Sequence, residues 1–184
     1  MKKSLTIVLI LTFVVAILST CFFVVQSKIY PIKYTDEINQ YSTRFQLSPS
    51  LVASVINTES SFNKNAESNK GAIGLMQIKL STAKFMIQYY KLNIEISKEQ
   101  LFDVSKNLYF GCMYLKYLTL KFNNIDTALA SYNAGETVVR NWLKNENYSN
   151  DNQTLKLIPY RETNNYVLKV NKNLKFYKKI FKNK

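Results

Sequence analysis

Glu59-Ser60-Ser61-Phe62 follows an apolar stretch of the chain, and twelve residues after Glu59 begins a second segment, Gly71-Ala72-Ile73-Gly74-Leu75-Met76-Gln77. A third segment, Ala128-Leu129-Ala130-Ser131-Tyr132-Asn133-Ala134-Gly135, lies further downstream. The chain has only four glycines, and three of them fall in the second and third segments. Glycine therefore marks particular backbone positions here, not general flexibility. This distribution indicates a structure built around Glu59.

Glu59 is placed on a helix by the residues before it. Ser48-Pro49 supplies an N-cap and a favoured first residue for a helix over Leu51–Ser60. The apolar stripe of this helix includes Val55 and Ile56, which precede Glu59 by four and three residues. The carboxyl is therefore expected to face inward, where removal from water raises its pKa, as a general acid near neutral pH requires. Taken alone, Glu59 also fits a solvated helix end.

The rest of the chain after the first thirty residues also has helical periodicity, and alternating strand patterns are scarce. Glu67–Gln77 is the exception, because two glycines three apart predict an irregular turn or a short hairpin. The sequence thus predicts a mainly α domain. Its further helices are expected at Tyr34–Phe45, Ser81–Lys91, Asp103–Phe122, Ile125–Asn133, Glu136–Asn145 and Pro159–Phe181.

The N-terminal segment predicts a membrane anchor. Leu5–Val25 is almost wholly apolar, and as a helix it would span roughly 30 Å, the thickness of the bilayer hydrocarbon. Lys2 and Lys3 precede it, which places the N-terminus in the cytoplasm and the following domain outside. We expect a single-pass anchor over residues 1–27 and one domain over residues 28–184.

Processing of this N-terminal segment gives two alternatives to the anchor. A secretory signal would be cleaved, although no small-residue site ends the apolar run cleanly. Leu18-Ser19-Thr20-Cys21 loosely resembles a lipoprotein processing box, with a poor fit around the cysteine. Under each alternative the domain is exported.

The net charge of +13 predicts an anionic partner, and it is concentrated at the C-terminus. Lys169–Lys184 holds seven lysines and no acid. Nucleic acid, lipid head groups and an acidic cell-wall polymer all fit such a charge, but export argues against nucleic acid. The same segment has an apolar stripe at helical spacing. It predicts either a terminal helix docked on the domain with a solvated basic face, or a helix lying on a membrane surface.

The residue types present restrict the chemistry. The chain has no histidine, which excludes Ser-His-Asp and Cys-His nucleophile systems, histidine-ligated zinc and histidine acid–base catalysis. Two cysteines, Cys21 and Cys112, cannot supply a four-ligand metal site, and we expect no metal, cofactor or disulfide. General acid–base catalysis would therefore have to use a carboxylate, a lysine or a tyrosine.

The three segments, with others in order, resemble the soluble lytic transglycosylase family of the lysozyme-like superfamily. The likeness extends from about Ile38 to Val170, nearly the whole exported part. It is specific because several segments occur at compatible spacing. They are Glu59-Ser60-Ser61-Phe62 with Asn65; Ser68 and Gly71 to Ile78 with Thr82-Ala83; Asn107 and Gly111 with Tyr114-Leu115; Ala128 to Gly135; and Ile158-Pro159-Tyr160 with Glu162-Thr163 and Tyr166-Val167.

The resemblance implies a lysozyme-like helical fold and cleavage of peptidoglycan glycan strands between N-acetylmuramic acid and N-acetylglucosamine. Glu59 would protonate the bridging oxygen and then, as a carboxylate, take the proton of the C6 hydroxyl. The sugar closes on itself as a 1,6-anhydro product, and no water is consumed. Ordinary glycosidases use two carboxylates at a set separation.

The resemblance also implies roles for the neighbours of Glu59. Ser68 and Gln77 match positions that hydrogen-bond the sugar or support the acid. Tyr132 and Tyr166 match residues that line the cleft, although tyrosines in a chain with 13 of them also serve as ordinary core residues. Asn133 is a further candidate for substrate binding, or satisfies backbone groups at a helix junction.

Two positions keep alternatives open. The family usually has Met-Pro after Gln77-Ile78, whereas this chain has Lys79-Leu80. Lys79 either meets the lactyl or peptide carboxylates of the wall or points to solvent. Glu162 either orients the site or pairs with Arg161.

Three other functions compete with the transglycosylase. A hydrolytic muramidase on the same fold would need a positioned water and a second carboxylate such as Glu67 or Asp103. A non-catalytic wall-binding module would keep the cleft without the reaction. A basic membrane-surface or assembly protein would depend on the lysine-rich tail alone.

Overall fold

The computed structural model describes residues 2–181, with the backbone alone for residues 2–10. The chain divides into one unit that ends at Lys33 and another that begins at Tyr34. The first unit holds a single helix, and the second is a helical domain with one short hairpin. The elements described are α1 (Lys2–Ile29), α2 (Thr35–Arg44), α3 (Pro49–Ser60), β1 (Ala72–Ile73), β2 (Ile78–Lys79), α4 (Leu80–Tyr89), α5 (Val104–Phe122), α6 (Ile125–Ala134), α7 (Glu136–Leu143) and α8 (Arg161–Phe181).

The predicted fold class is confirmed. Each helix expected from periodicity is present within a few residues of its expected bounds, and the hairpin pairs Ala72 with Lys79 and Ile73 with Ile78. An additional 3-10 helix at Glu99–Phe102 was not predicted. Such short elements leave no periodic signal in a sequence.

The first unit is an apolar helix of 28 residues. Within it, Leu11–Ile29 is long and apolar enough to cross a membrane, with a mean hydropathy of 1.8, and a secretory signal would meet the same criteria. Its large side chains are exposed, Phe13 by 67% and Phe23 by 71%.

Helix α3 forms the centre of the domain. Ser48 caps its N-terminus by accepting the backbone N–H of Leu51 at 3.2 Å, and Pro49 occupies the first helical position. All residues from Ser50 to Asn57 are buried, as expected of a helix surrounded by other elements. It packs chiefly against α8. Ser61 adopts a left-handed conformation and ends the helix, so Glu59 lies in its last turn.

Helix α8 is a terminal helix docked on the domain. Its apolar stripe is buried at Tyr166, Val170 and Tyr177, so this stripe is covered by protein. The lysines of the predicted basic segment that the structure describes, from Lys169 to Lys179, are all exposed. Residues 182–184, which complete that segment, lie outside the described residues.

The buried side chain of Asn107 joins residues 67–79, which we call the hairpin segment, to α5. Its Oδ1 accepts the backbone N–H of Met76 at 2.8 Å, and its Nδ2 donates to the carbonyls of Ile73 and Leu101, each at 2.8 Å. Gly74 allows this approach, because a Cβ there would lie 2.3 Å from Asn107 Nδ2 and 2.8 Å from the Leu101 oxygen. Asn107 thus fixes the segment that forms one wall of the cleft described below.

We predict that Gly74→Ala destabilises the domain more than Gly71→Ala. Both glycines have positive φ angles, +74° and +73°, but a Cβ on Gly71 meets nothing within 4 Å. Gly71→Ala should therefore cost only backbone strain, about 1–2 kcal/mol. Gly74→Ala adds overpacking against Asn107, roughly 1–3 kcal/mol more. Urea unfolding of the two variants measures the difference, and equal losses would contradict the assigned role of Asn107.

Candidate active site

A cleft of about 470 Å³ opens beside the last turn of α3. Its walls are the hairpin segment, the end of α6 and the start of α8, with one residue each from α4 and α5. Five of the six predicted site residues line it, namely Glu59, Ser68, Gln77, Tyr132 and Asn133. The topology thus gathers residues that are up to 74 positions apart in the chain, from Glu59 to Asn133, into one cavity.

Glu59 is half-buried at the base of this cleft. Burial raises the pKa of its carboxyl from 4.5 to about 7, and the Tyr166 hydroxyl and the Lys169 cation offset this effect only in part. Desolvation has the largest effect on this pKa because a carboxylate loses its hydration inside the protein. One exposed cation stabilises the carboxylate only weakly. A carboxyl with this pKa exists in both protonation states near neutral pH.

Tyr166 lies behind Glu59 on α8 and does not line the cleft. It is buried, and its hydroxyl acts on Glu59 as a hydrogen-bond donor does, lowering the pKa of the carboxyl. The hydroxyl nevertheless makes no hydrogen bond of regular geometry within residues 2–181. Burial and the neighbouring Glu59 raise the pKa of Tyr166 well above 10, so the phenol remains a donor.

Tyr132 connects the end of α6 to the hairpin segment. Its hydroxyl donates to the carbonyl of Met76 at 2.8 Å, and its ring packs on Tyr114 with 5.3 Å between centroids. Burial, followed by the charge of Glu59, raises the pKa of Tyr132 well above 10. The phenol therefore stays protonated, and its ring forms part of the cleft wall.

Ser68 and Gln77 both brace the hairpin segment. The Oγ of Ser68 accepts the backbone N–H of Ala72 at 3.0 Å, which leaves its own hydroxyl hydrogen free of that bond. Gln77 Nε2 donates to the carbonyls of Ala66 and Gly74 at 3.2 and 3.1 Å. These side chains hold the wall in shape, and both residues line the cleft.

Asn133 joins the cleft wall to α8. Its Oδ1 accepts the hydroxyl of Thr163 at 2.8 Å. Asn133 lines the cleft, and its amide nitrogen, which is a donor, is not used in that bond.

The carboxylates considered for a second catalytic role lie elsewhere. Glu67 pairs with Lys98 at 2.7 Å, and Asp103 caps α5 by accepting the backbone N–H of Lys106 at 2.9 Å. Neither lines the cleft, whereas Glu162 does. Among the ion pairs of residues 2–181 none joins Glu162 to Arg161.

Several cleft residues were given no role from sequence. Tyr114 and Thr82 belong to quoted motifs, so their presence in those motifs was a usable signal. Lys70 precedes Gly71 in the hairpin turn, and nothing in its local sequence marks it as a cleft residue. Lys79, whose position was left open, is exposed and lines the cleft together with Lys70, so the rim is cationic on this side.

The residues that the structure describes contain no group of three or more cysteine, aspartate or glutamate side chains able to hold a metal ion. Both cysteines are free thiols, Cys21 exposed and Cys112 buried.

A family model described as the transglycosylase SLT domain matches residues 36–155. The soluble lytic murein transglycosylase of Escherichia coli K12 is 34% identical over 143 residues, which cover 77% of this chain and 22% of that protein. The membrane-bound lytic murein transglycosylase C of Histophilus somni strain 2336 is 32% identical, over 80% of this chain and 47% of that protein. The chain thus spans about a fifth of the length of the first of these relatives.

Solved structures with the same fold include two lytic transglycosylases. An inactive glutamate-to-glutamine mutant of Slt from Pseudomonas aeruginosa matches with a TM-score of 0.74 and 28% identity, over 85% of this chain and 26% of that one. The 70-kDa soluble lytic transglycosylase in complex with bulgecin A matches with a TM-score of 0.73 and 29% identity, over 83% and 25%.

We predict that Lys169→Ala raises the pKa of Glu59 above about 7. Lys169 Nζ reaches the carbonyl of Thr58 at 3.4 Å, next to Glu59, and its charge favours the carboxylate. Removing that cation leaves desolvation less opposed. Carbon-13 NMR titration of the Glu59 carboxyl, assigned by its loss in Glu59→Gln, measures the pKa. Lys178→Ala, which removes an exposed lysine further along α8, is the control, and equal effects of the two variants would contradict a local action of Lys169.

Proposed function

Because the chain belongs to the family of the transglycosylase SLT domain, we propose that it is a lytic transglycosylase that cleaves the glycan strands of peptidoglycan. The observation that carries this proposal is a half-buried glutamate in a cleft, Glu59, whose pKa is raised to about 7. Membership of the family agrees with the resemblance found in the sequence motifs, since residues 36–155 include all of them as far as Gly135.

The proposed reaction uses Glu59 twice. Protonated Glu59 gives its proton to the oxygen that joins N-acetylmuramic acid to N-acetylglucosamine, and the bond from C1 to that oxygen breaks. The C6 hydroxyl of the same muramic acid then attacks the oxocarbenium-like C1, and the Glu59 carboxylate accepts its proton. One C–O bond breaks, one forms, the proton on Glu59 is restored, and no water is consumed.

The pKa of Glu59 suits both steps. A general acid and base works best when its pKa lies near the pH of the reaction, and a value of about 7 leaves the proton transferable in each direction. Tyr166 supports the carboxylate formed in the first step by presenting a phenolic hydroxyl to it. We assign Tyr166 as a positioning residue, because it lies behind Glu59 and not in the cleft.

We propose that the remaining cleft residues bind the sugar. Ser68 and Asn133 present a hydroxyl and an amide, and Tyr132 presents part of its ring. Gln77 contributes mainly through the loop that it braces. These roles fit a substrate whose rings have apolar faces and a rim of hydroxyl and acetamido groups.

The relatives support the same reaction class. The Escherichia coli and Histophilus somni proteins are named murein transglycosylases, and the Pseudomonas aeruginosa mutant is described as inactive after a glutamate is replaced by glutamine. One essential glutamate agrees with the role proposed for Glu59.

Hydrolysis, as in a muramidase, is the competing reaction. Glu162 is the residue that could serve as its second carboxylate. It is the second carboxylate at the cleft lining, and it is exposed. A water activated by Glu162 would give products with reducing ends in place of anhydro ends. A wall-binding module without catalysis would give no products.

We also propose that α1 anchors the protein in the membrane, with the domain outside the cytoplasm and facing the wall. The apolar span Leu11–Ile29 and the membrane-bound relative support this location. The exposed lysines of α8 would add contact with anionic lipid or an acidic wall polymer, each contributing about 1 kcal/mol near an anionic surface.

We predict that incubation of the wild-type protein with purified peptidoglycan releases muropeptides with 1,6-anhydro ends. Each is lighter by one water molecule than the hydrolytic product. Mass spectrometry of the soluble products identifies them. Glu59→Gln, which keeps the size of the side chain and removes the acid, should release none. Reducing-end products would assign the protein to the muramidases. Binding of the wall by both proteins without any products would favour the binding module.

We predict that the full chain stays in the membrane fraction at high salt and that a variant lacking residues 1–33 does not. Apolar insertion is insensitive to salt, whereas contact through lysines alone is screened within about 3 Å at 1 M salt. Fractionation followed by immunoblotting measures this. A processed chain that begins near Ser27 and is found in the soluble fraction would show that α1 is a secretory signal.

A further inference from the structure

The hairpin segment brings two cations to the Glu59 cleft. Lys70 and Lys79 both line the cleft, and both are exposed. Lys79 follows Ile78 in β2, and Ile78 is only 2% exposed, so the alternation of side chains along the strand turns Lys79 away from the core. Ala72 lies opposite Lys79 in the hairpin and also lines the cleft. The single methyl group of Ala72 covers little of the lysine side chain.

Lys70 is held at the cleft by a tight turn. The backbone N–H of Gly71 donates to the carbonyl of Ser68 at 2.9 Å, which closes the turn around Lys70. The backbone N–H of Ser68 donates to the carbonyl of Ala72 at 2.9 Å, and the Ser68 hydroxyl oxygen accepts the Ala72 N–H at 3.0 Å. These three hydrogen bonds fix the backbone that carries Lys70, so its flexible side chain extends from a fixed base.

The two lysines have no acidic partner among residues 11–181, whose side chains the structure describes. Glu67 is the one acid in the sequence of the hairpin segment, but it pairs with Lys98 and does not line the cleft. Glu162 lines the cleft from a different wall, at the start of α8. The hairpin side of the cleft is therefore cationic, and an anionic group bound there would reduce the repulsion between Lys70 and Lys79.

We propose that Lys70 and Lys79 bind a carboxylate that the glycan strand carries on its muramic acid residues. Such a carboxylate has two sources, the free lactyl group of a peptide-free muramic acid or the peptide attached to that group. A lysine ammonium suits either source, because it is a point charge on a flexible stem. The lysine pair thus selects strands by their charge. This inference rests on the proposed function, because it takes the glycan strand as the substrate.

Selection by charge is separable from the action of Glu59. The groups that lower the pKa of Glu59 against the effect of burial are Tyr166 and Lys169, both on α8. Replacement of Lys70 and Lys79 should therefore change the preference for charged strands without changing the pH dependence of kcat. A shifted pH profile would show that the two lysines act on the acid instead.

The test compares kcat/KM of the full chain, in detergent, on strands that differ only in charge. Peptide-free strands are compared with the same strands after their lactyl carboxylates are converted to methyl amides. Peptide-bearing strands are compared with the same strands after their peptide carboxylates are converted in the same way. At low salt, the ratio of kcat/KM on the charged strand to that on its neutral form should be about fivefold for at least one source, equivalent to about 1 kcal/mol. The ratio should fall towards one at 1 M salt, where the screening length is about 3 Å.

Three double variants complete the test. Lys70→Met/Lys79→Met should bring the ratio close to one, because methionine keeps a long side chain and removes the charge. Lys70→Glu/Lys79→Glu reverses the charge and should bring the ratio below one. Lys64→Met/Lys106→Met is the matched control, since both of these lysines are exposed, neither lines the cleft, and the change in net charge is the same as in the first variant. Thermal unfolding checks that all variants fold.

A ratio of one for both carboxylate sources in the wild type would overturn the proposal. A ratio that salt does not change, or an equal loss with the control, would also overturn it. A ratio above one for a single source supports the proposal and identifies that source. Failure of the proposed function is distinguishable, because calorimetric titration of Glu59→Gln with charged and neutral strands measures the same preference without turnover. Tighter binding of the charged strand, lost when Lys70→Met/Lys79→Met is added to that variant, would support the lysine pair even where no anhydro products form.

Discussion

The packing of α8 against the buried helix α3 is the contact on which the site depends. The residues of α8 that face the last turn of α3 are Tyr166, Lys169 and Asn173, spaced by three and four positions and therefore on one helical stripe. Lys169 reaches the carbonyl of Thr58, and Asn173 Nδ2 donates to the Thr58 hydroxyl at 2.9 Å. The same stripe thus fixes the backbone beside Glu59 and supplies the phenol behind its carboxyl.

The second constraint is the segment that closes the opposite side of the cleft, which has almost no regular structure of its own. Its two strands have two residues each, too few to be stable alone. It is held instead by side chains from elsewhere, Asn107 from α5 and Tyr132 from α6, and by its own Gln77. Buried amide groups with all their partners present define a single backbone geometry, because any other leaves polar groups unpaired.

The helices and the position of Glu59 were predictable from the sequence, because apolar spacing and the Ser48-Pro49 start signal are local. The predicted site residues beyond Glu59 came from motif resemblance, and four of those five line the cavity. Local patterns do not show which side of a carboxyl a tyrosine occupies, so the place of Tyr166 behind Glu59 emerged only from the packing of α8. The links from Asn107 to Met76 and from Lys169 to Thr58 join residues 31 and 111 positions apart, and no local rule predicts such pairs.

The end of a helix is itself part of the electrostatics of Glu59. The last carbonyls of α3 carry partial negative charge, which disfavours a carboxylate in the final turn and acts in the same direction as burial. Lys169 at the Thr58 carbonyl opposes both effects, and so does the phenol of Tyr166. A surface position would leave the acid ionised at neutral pH, and full burial without these two partners would keep it protonated. A pKa of about 7 lies between these two extremes. It follows from the position of Glu59, where a buried helix ends at an open cleft.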